Sequence, residues 1–184
     1  MPVTKTEIPD VKVISLSPHE DSRGMFVETY EVSAFADIGI DSEFTQDALS
    51  VNRERGTFRG LHFQAPPFAQ DTLVRVAKGR IFDVVLDLRR SAPTFGQHVA
   101  LELCADDWRC LFIPAGFAHG FCTLEDRCEI AYKLAGPYAP AHAGGVFLHD
   151  PDLAIAWPID PAAGILSDKD KGLPRLRDLA HVFP

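Results

Sequence analysis

Ile81-Phe82-Asp83-Val84-Val85-Leu86-Asp87-Leu88 alternates with a period of two. Phe82, Val84, Leu86 and Leu88 fall on one face, while Asp83 and Asp87 share the other with Ile81 and Val85. That period belongs to a β-strand. Working outward, Leu73-Val74-Arg75-Val76 leads into this strand through Ala77-Lys78-Gly79-Arg80, which reads as a hairpin turn. Val99 to Leu103, then Ala105-Asp106-Asp107, then Cys110 to Ile113 reads as a second hairpin. Gly120 to Leu124, Glu125-Asp126 and Cys128 to Tyr132 read as a third. Further strands are predicted at Val11 to Ser15, Met25 to Tyr30 and Ala48 to Asn52. Helix is scarce, with short pieces expected at Ser33 to Asp37 and Leu173 to Leu179. Many short strands separated by turn signals predict an all-β sandwich or barrel. The fourteen prolines gather in the loops and the C-terminal third, where irregular structure is expected to wrap the sheets.

At 184 residues the chain suits one domain spanning 1–184 with a sizeable core. Hydrophobic residues at 46% and charged residues at 24% describe an ordinary soluble globule. The absence of a long apolar run, at the N-terminus or elsewhere, predicts a cytoplasmic protein with no membrane partner. A net charge of -8 argues against a nucleic-acid partner, which needs a basic field. It leaves room for an anionic small ligand in a locally basic pocket. Cys104, Cys110, Cys122 and Cys128 contain no C-x-x-C spacing and lie in or beside apolar segments, so buried reduced thiols are expected.

Two histidines stand out. His62 interrupts an apolar strand in Arg59-Gly60-Leu61-His62-Phe63-Gln64, a place where solvent is expected to be scarce and an imidazole can serve as a base. His119 follows an apolar strand and a Pro/Gly turn in Ile113-Pro114-Ala115-Gly116-Phe117-Ala118-His119. A lone strand histidine is by default a satisfied core residue. Arg59 and Gln64 beside it, in a chain rich in candidate partners, favour a functional role. Pro114-x-Gly116-x-x-His119 resembles part of the second motif of the cupins, which are double-sheet jelly rolls. Metal-binding cupins usually add His-x-His and a glutamate; here only His62 occupies that region, so no metal is expected.

Longer segments carry a closer resemblance. Asp21 to Glu28, Gly56 to Gln64, Leu73 to Val76, Ser91 to Gly96, Ile113 to Phe121, Tyr132-Lys133, Tyr138 and Leu166 to Asp170 occur in the order found in the dTDP-4-dehydrorhamnose 3,5-epimerases. The resemblance covers nearly the whole chain. It implies a cupin double-sheet jelly roll with short peripheral helices and an irregular C-terminal segment. It also implies epimerisation of a dTDP-4-keto-6-deoxy sugar, no cofactor, and a homodimer to which a strand such as Val11 to Ser15 contributes.

By the same resemblance His62 is the base that removes a proton beside the C4 ketone. Asp170 fixes its tautomer, and Tyr132 returns a proton from the opposite face. Arg23, Arg59 and Lys169 meet the diphosphate. Phe26, Glu28 and Gln46 fall at nucleotide-sugar contact positions, Tyr138 stacks on the base, and His119 lines the sugar pocket. The chain also departs from the family. Thr72 stands where a lysine is usual, Ala48 replaces an asparagine, Ala143 an acidic residue, and Leu148-His149-Asp150 the usual Trp-Asn-Asp. These departures are expected at or beside the ligand site, and they suggest altered or narrowed specificity. Two other functions are compatible with the residues: a nucleotide-sugar-binding cupin that has lost turnover, and a metal-dependent cupin enzyme.

Overall fold

The structure, a computed structural model, describes residues 1–180 and 182–184. In chain order the strands are β1 (Val3–Lys5), β2 (Lys12–Ser15), β3 (His19–Asp21), β4 (Gly24–Phe26), β5 (Gln46–Asn52), β6 (Phe58–Gln64) and β7 (Thr72–Lys78). They continue with β8 (Arg80–Asp87), β9 (His98–Cys104), β10 (Arg109–Ile113), β11 (Phe117–Thr123), β12 (Cys128–Leu134) and β13 (Ala143–Gly145). Two short helices are α1 (Val32–Ala36) and α2 (Asp168–Lys171). A six-stranded sheet in the order β1-β2-β10-β7-β12-β5 faces a five-stranded sheet in the order β13-β6-β11-β8-β9, while β3 and β4 form a separate two-stranded ribbon. This is the double-sheet jelly roll that the short alternating strands predict.

The long central strands β5 to β12 are where the sequence reading places them, but β1, β3 and β13 were not predicted, and the partners differ from expectation. β7 and β8 lie in opposite sheets, as do β9 and β10, and β11 and β12. All three expected hairpins are therefore corners at which the chain crosses from one sheet to the other. A short polar link containing glycine serves either purpose. At Gly79, φ is +81° and an added Cβ would lie 2.6 Å from Cys128 Sγ, so the corner has no room for a side chain.

The two faces of β8 explain its alternation. Ile81 and Val85 pack between the sheets with Val74, Val76, Leu111 and Phe121. Val84, Leu86 and Leu88 pack outward with Phe58, Leu61, Val146 and Leu148, under cover of Trp157 and other C-terminal residues. A third cluster, built on Phe35, Ile40, Leu73 and Phe112, covers part of the six-stranded sheet's outer face. Each fully buried side chain of this kind contributes about 1.5–3 kcal/mol.

Several boundaries differ from expectation. The strand predicted at Met25 to Tyr30 stops at Phe26, because Val27 and Tyr30 turn to pack on the third cluster. Helix α1 begins one residue early, capped by Glu31, whose carboxylate accepts from the Ser33 and Ala34 amides. The helix expected at Leu173 to Leu179 is only a turn over Leu176–Asp178. Pro174 disfavours helix in the residue before it, and the Leu176 amide donates to Asp150 Oδ2 at 2.8 Å. Strand β2 is enclosed by β1 and β10, so Val11 to Ser15 has no free edge for a partner copy.

The four cysteines are free; Cys104 is half-exposed, and the other three are buried. Burial pushes the Cys110 and Cys122 thiols up to about 12, which leaves both inert. Among the described residues no helix is long and apolar enough to cross a membrane.

Candidate active site

A break in register between β6 and β11 shapes the site. His62 lies opposite His119, but Arg59 lies opposite Phe121, so three steps along β6 match two along β11. Regular alternation would send residues three apart to opposite faces. The irregularity instead lets Arg59 and His62 line one cavity between the sheets, with a volume of about 380 Å³. That is enough for a small-molecule ligand. The strands come very close here. Gly60 has φ of +117°, and an added Cβ would lie 2.6 Å from Gly120 Cα and 2.7 Å from the His119 carbonyl oxygen. Gly60→Ala is expected to cost about 2–4 kcal/mol through backbone strain and overlap. Urea denaturation measures this directly, and an unchanged midpoint would contradict the close approach.

His62 is held from behind. Its Nε2 lies 2.6 Å from Asp170 Oδ1, and the Gly60 amide donates to Asp170 Oδ2 at 3.4 Å. Asp170 is buried on α2, where Ser167 Oγ accepts from its amide. The chain before α2 is fastened to the start of β6 by Phe58 N donating to Ile165 O at 2.9 Å and Ile165 N donating to Gly56 O at 2.8 Å. This ladder brings together two residues 108 positions apart. With Nε2 engaged, Nδ1 is the nitrogen left for chemistry. The imidazole is not dry as expected: its side chain is 41% exposed at the cavity wall.

Tyr132 faces the cavity from β12, on the other sheet. Burial pushes its phenol pKa up, the charge of Asp83 adds to that rise, and Arg59 opposes it. The phenol therefore keeps its proton well above neutral pH. His119 lines the same cavity, its Nε2 2.9 Å from Asp83 Oδ2. Arg59 donates from Nε to Asn52 Oδ1 at 2.7 Å, which ties β6 to β5 across the sandwich. Thr72, Lys169 and Tyr138 also line the cavity.

Other expected residues stand apart. Arg23 and Phe26 lie on the β3–β4 ribbon, with the Arg23 side chain 88% exposed and paired to Asp21 and Phe26 67% exposed. Glu28 and Gln46 are exposed, and none of these four lines the cavity. Of the departures, Thr72, Ala48 and Ala143 are at the cavity. Leu148 and Asp150 instead belong to the C-terminal packing, and His149 stacks on Phe147.

Asp83 and Gln70 escaped the sequence reading, which noted Gln64 without assigning it a task. Asp83 is wholly buried on the inward face of β8; its place in the Ile81/Val85 set was the available signal. Gln64 and Gln70 fasten the loop that carries Tyr138. Gln64 Nε2 donates to Phe68 O and Pro137 O, its Oε1 accepts from Ala139 N, and Gln70 Nε2 donates to Gly136 O and Pro137 O. Among the described residues no three His, Cys, Asp or Glu side chains converge as a metal site.

The arrangement can remove a proton on one wall, supply one from the other, and hold an anion near Arg59 and Lys169. Comparison with known proteins identifies the family. The family model for dTDP-4-dehydrorhamnose 3,5-epimerase matches residues 5–178. The enzyme of that name from Pseudomonas aeruginosa is 44% identical over 185 residues, covering 100% of both chains. The Legionella pneumophila dTDP-6-deoxy-D-glucose-3,5-epimerase, solved in complex with dTDP-4-keto-L-rhamnose, matches with a TM-score of 0.94 at 36% identity, covering 100% of this chain and 97% of that one. The Bacillus anthracis dTDP-4-dehydrorhamnose 3,5-epimerase, solved with TDP and PPi bound, matches at 0.91 and 43% identity, covering 95% and 98%. A family model spanning nearly the whole chain, and relatives that match it end to end, establish that the chain belongs to the dTDP-4-dehydrorhamnose 3,5-epimerase family.

Proposed function

We propose that this chain, acting as one domain over 1–184, epimerises a dTDP-4-keto-6-deoxy sugar at C3, C5 or both without a cofactor. The observation that carries this reading is the 2.6 Å contact of His62 with Asp170 in a cavity whose opposite wall bears Tyr132. A C4 ketone acidifies the hydrogens on C3 and C5. His62 Nδ1 takes such a proton, and Asp170 keeps Nε2 protonated and meets the imidazolium charge. The electrons move into an enolate, and Tyr132 delivers its phenolic proton to the opposite face of the same carbon. Arg59 and Lys169 receive the diphosphate, where charge-assisted hydrogen bonds are strongest. Tyr138 stacks on the base.

Thr72 puts a neutral hydroxyl on the cavity wall. Hydrogen bonds from neutral donors are roughly half as strong as those from cations, so a neutral wall supports a narrower range of enolates. This motivates specificity for one carbon or for a different 4-keto sugar. The protein acts as a homodimer in the cytoplasm. Support for the dimer is the apolar surface at Met25, Phe26, Leu49 and Val51, each 49–67% exposed, with β5 an open edge of its sheet. In that assembly Arg23, Phe26 and Glu28 reach the second copy's cavity.

Incubation with dTDP-4-keto-6-deoxyglucose in deuterated water tests the activity by NMR. Deuterium is expected to enter at C3, C5 or both. Binding of dTDP without exchange into any 4-keto nucleotide sugar would identify a binding protein instead.

A further inference from the structure

Each inversion leaves the proposed machinery in the wrong protonation state. His62 has gained a proton and Tyr132 has lost one, so before the next inversion the first must shed a proton and the second regain one. We propose that His119, held by Asp83, is the relay that carries a proton from the first to the second. This inference rests on the assignment of His62 as base and Tyr132 as acid.

The geometry places His119 between the two. It sits directly opposite His62 in the β6–β11 pairing, which puts the two side chains on one face of the sheet, where a bridging water can join them. Its ring lies 6.2 Å from the Tyr132 ring, edge-on at 68°, so it also adjoins the acid on the other sheet.

The electrostatics fit a transient charge. Asp83 has no solvent exposure, and among the described residues its carboxylate's only hydrogen-bond partner is His119 Nε2 at 2.9 Å. Its other oxygen, Oδ1, is the one buried side-chain polar atom without a partner among the described residues. A carboxylate so isolated is costly to bury unless a cation faces it. His119 becomes that cation whenever it holds the returning proton. Phenolate at Tyr132, by contrast, faces the charge of Asp83 across an apolar wall, which drives its reprotonation.

The step balances without a co-reactant. The bridging water takes the proton of His62 Nδ1–H and gives one of its own to His119 Nδ1, while the His119 Nε2–H stays on Asp83. His119 Nδ1–H then gives a proton to the Tyr132 oxygen. Base and relay end neutral, and the acid ends protonated. Asp83 acts only by positioning and charging His119.

Rapid-quench kinetics of the intact protein with dTDP-4-keto-6-deoxyglucose separate this role from a structural one. With His119→Gln, the first inversion per site is expected to outrun later ones by about tenfold or more, as a burst absent from the wild type. Added imidazole should collapse the burst by reprotonating Tyr132. Asp83→Asn, checked for folding by circular dichroism, should show a smaller burst. If first and later turnovers slow together in both variants, or imidazole does nothing, the relay is overturned. If the wild-type protein itself shows no solvent exchange, the epimerase assignment has failed, which is a separate and recognisable result.

Discussion

His62→Asn should lower epimerisation by about 10³-fold or more while dTDP still binds, because general-base catalysis at a carbon acid is typically worth 10²–10⁴. Asparagine keeps an amide that can donate to Asp170, so the buried carboxylate is not stranded. Without a group that accepts a proton, however, neither carbon can be deprotonated, and deuterium entry at C3 and C5 should vanish together. Asp170→Asn should behave almost as severely. An asparagine at 2.6 Å from Nε2 no longer demands a proton there. The imidazole can then turn its N–H toward the sugar, and in hydrolase triads the same replacement costs about 10⁴ in turnover. Since both changes disable one unit, the double variant should be no worse than His62→Asn alone. Additive losses in NMR-followed turnover would mean that Asp170 acts on something other than His62.

That pairing shows what could and could not be read from the chain. Strand β8 was legible residue by residue because its two faces meet different surroundings, one between the sheets and one under the C-terminal segment. Period two survives any choice of partner. The connections did not share that transparency. A glycine corner such as Lys78-Gly79-Arg80 looks like a hairpin until the sheets on either side are known, since both need a tight polar turn.

The site was legible through the order of its motifs. Local pattern alone could not join His62 to Asp170, because the distance between them is set by a backbone ladder of Gly56 and Phe58 with Ile165, a pairing that neither motif's spacing records. Pattern alone also misleads about environment. His62 in an apolar run suggested a dry pocket, yet the register irregularity beside it turns the ring toward an open cavity. Asp83 shows the reverse failure. An aspartate in an alternating strand suggests a solvated face, but β8 has none, and the carboxylate ends in the core beside the second histidine.

Replacing Tyr132 with phenylalanine should separate two events that the intact site couples. His62 and Asp170 remain, so a proton can still leave carbon and the enolate can still form. The phenol that would deliver a proton from the opposite face is gone. The enolate then recovers its hydrogen from His62, on the face it left, with the original configuration. In deuterated water this means deuterium entry at C3 or C5 that outlasts inversion. Exchange should fall by no more than about tenfold, while inversion falls by about 10²–10⁴. Loss of both in equal measure would show that Tyr132 binds or stabilises the enolate and does not act as the acid.

A stability control is built into the same variant. Burial, followed by the charge of Asp83, raises the phenol's pKa in the folded state. A group whose folded value is raised contributes stability that is complete below its unfolded value, near 10, and lost as pH rises from there through the folded value. Thermal melts between neutral pH and strong alkali should therefore decline more steeply for the wild type than for Tyr132→Phe. Parallel declines would mean that the phenol is solvated in the folded protein, and a solvated phenol would have an easier source of protons than His119.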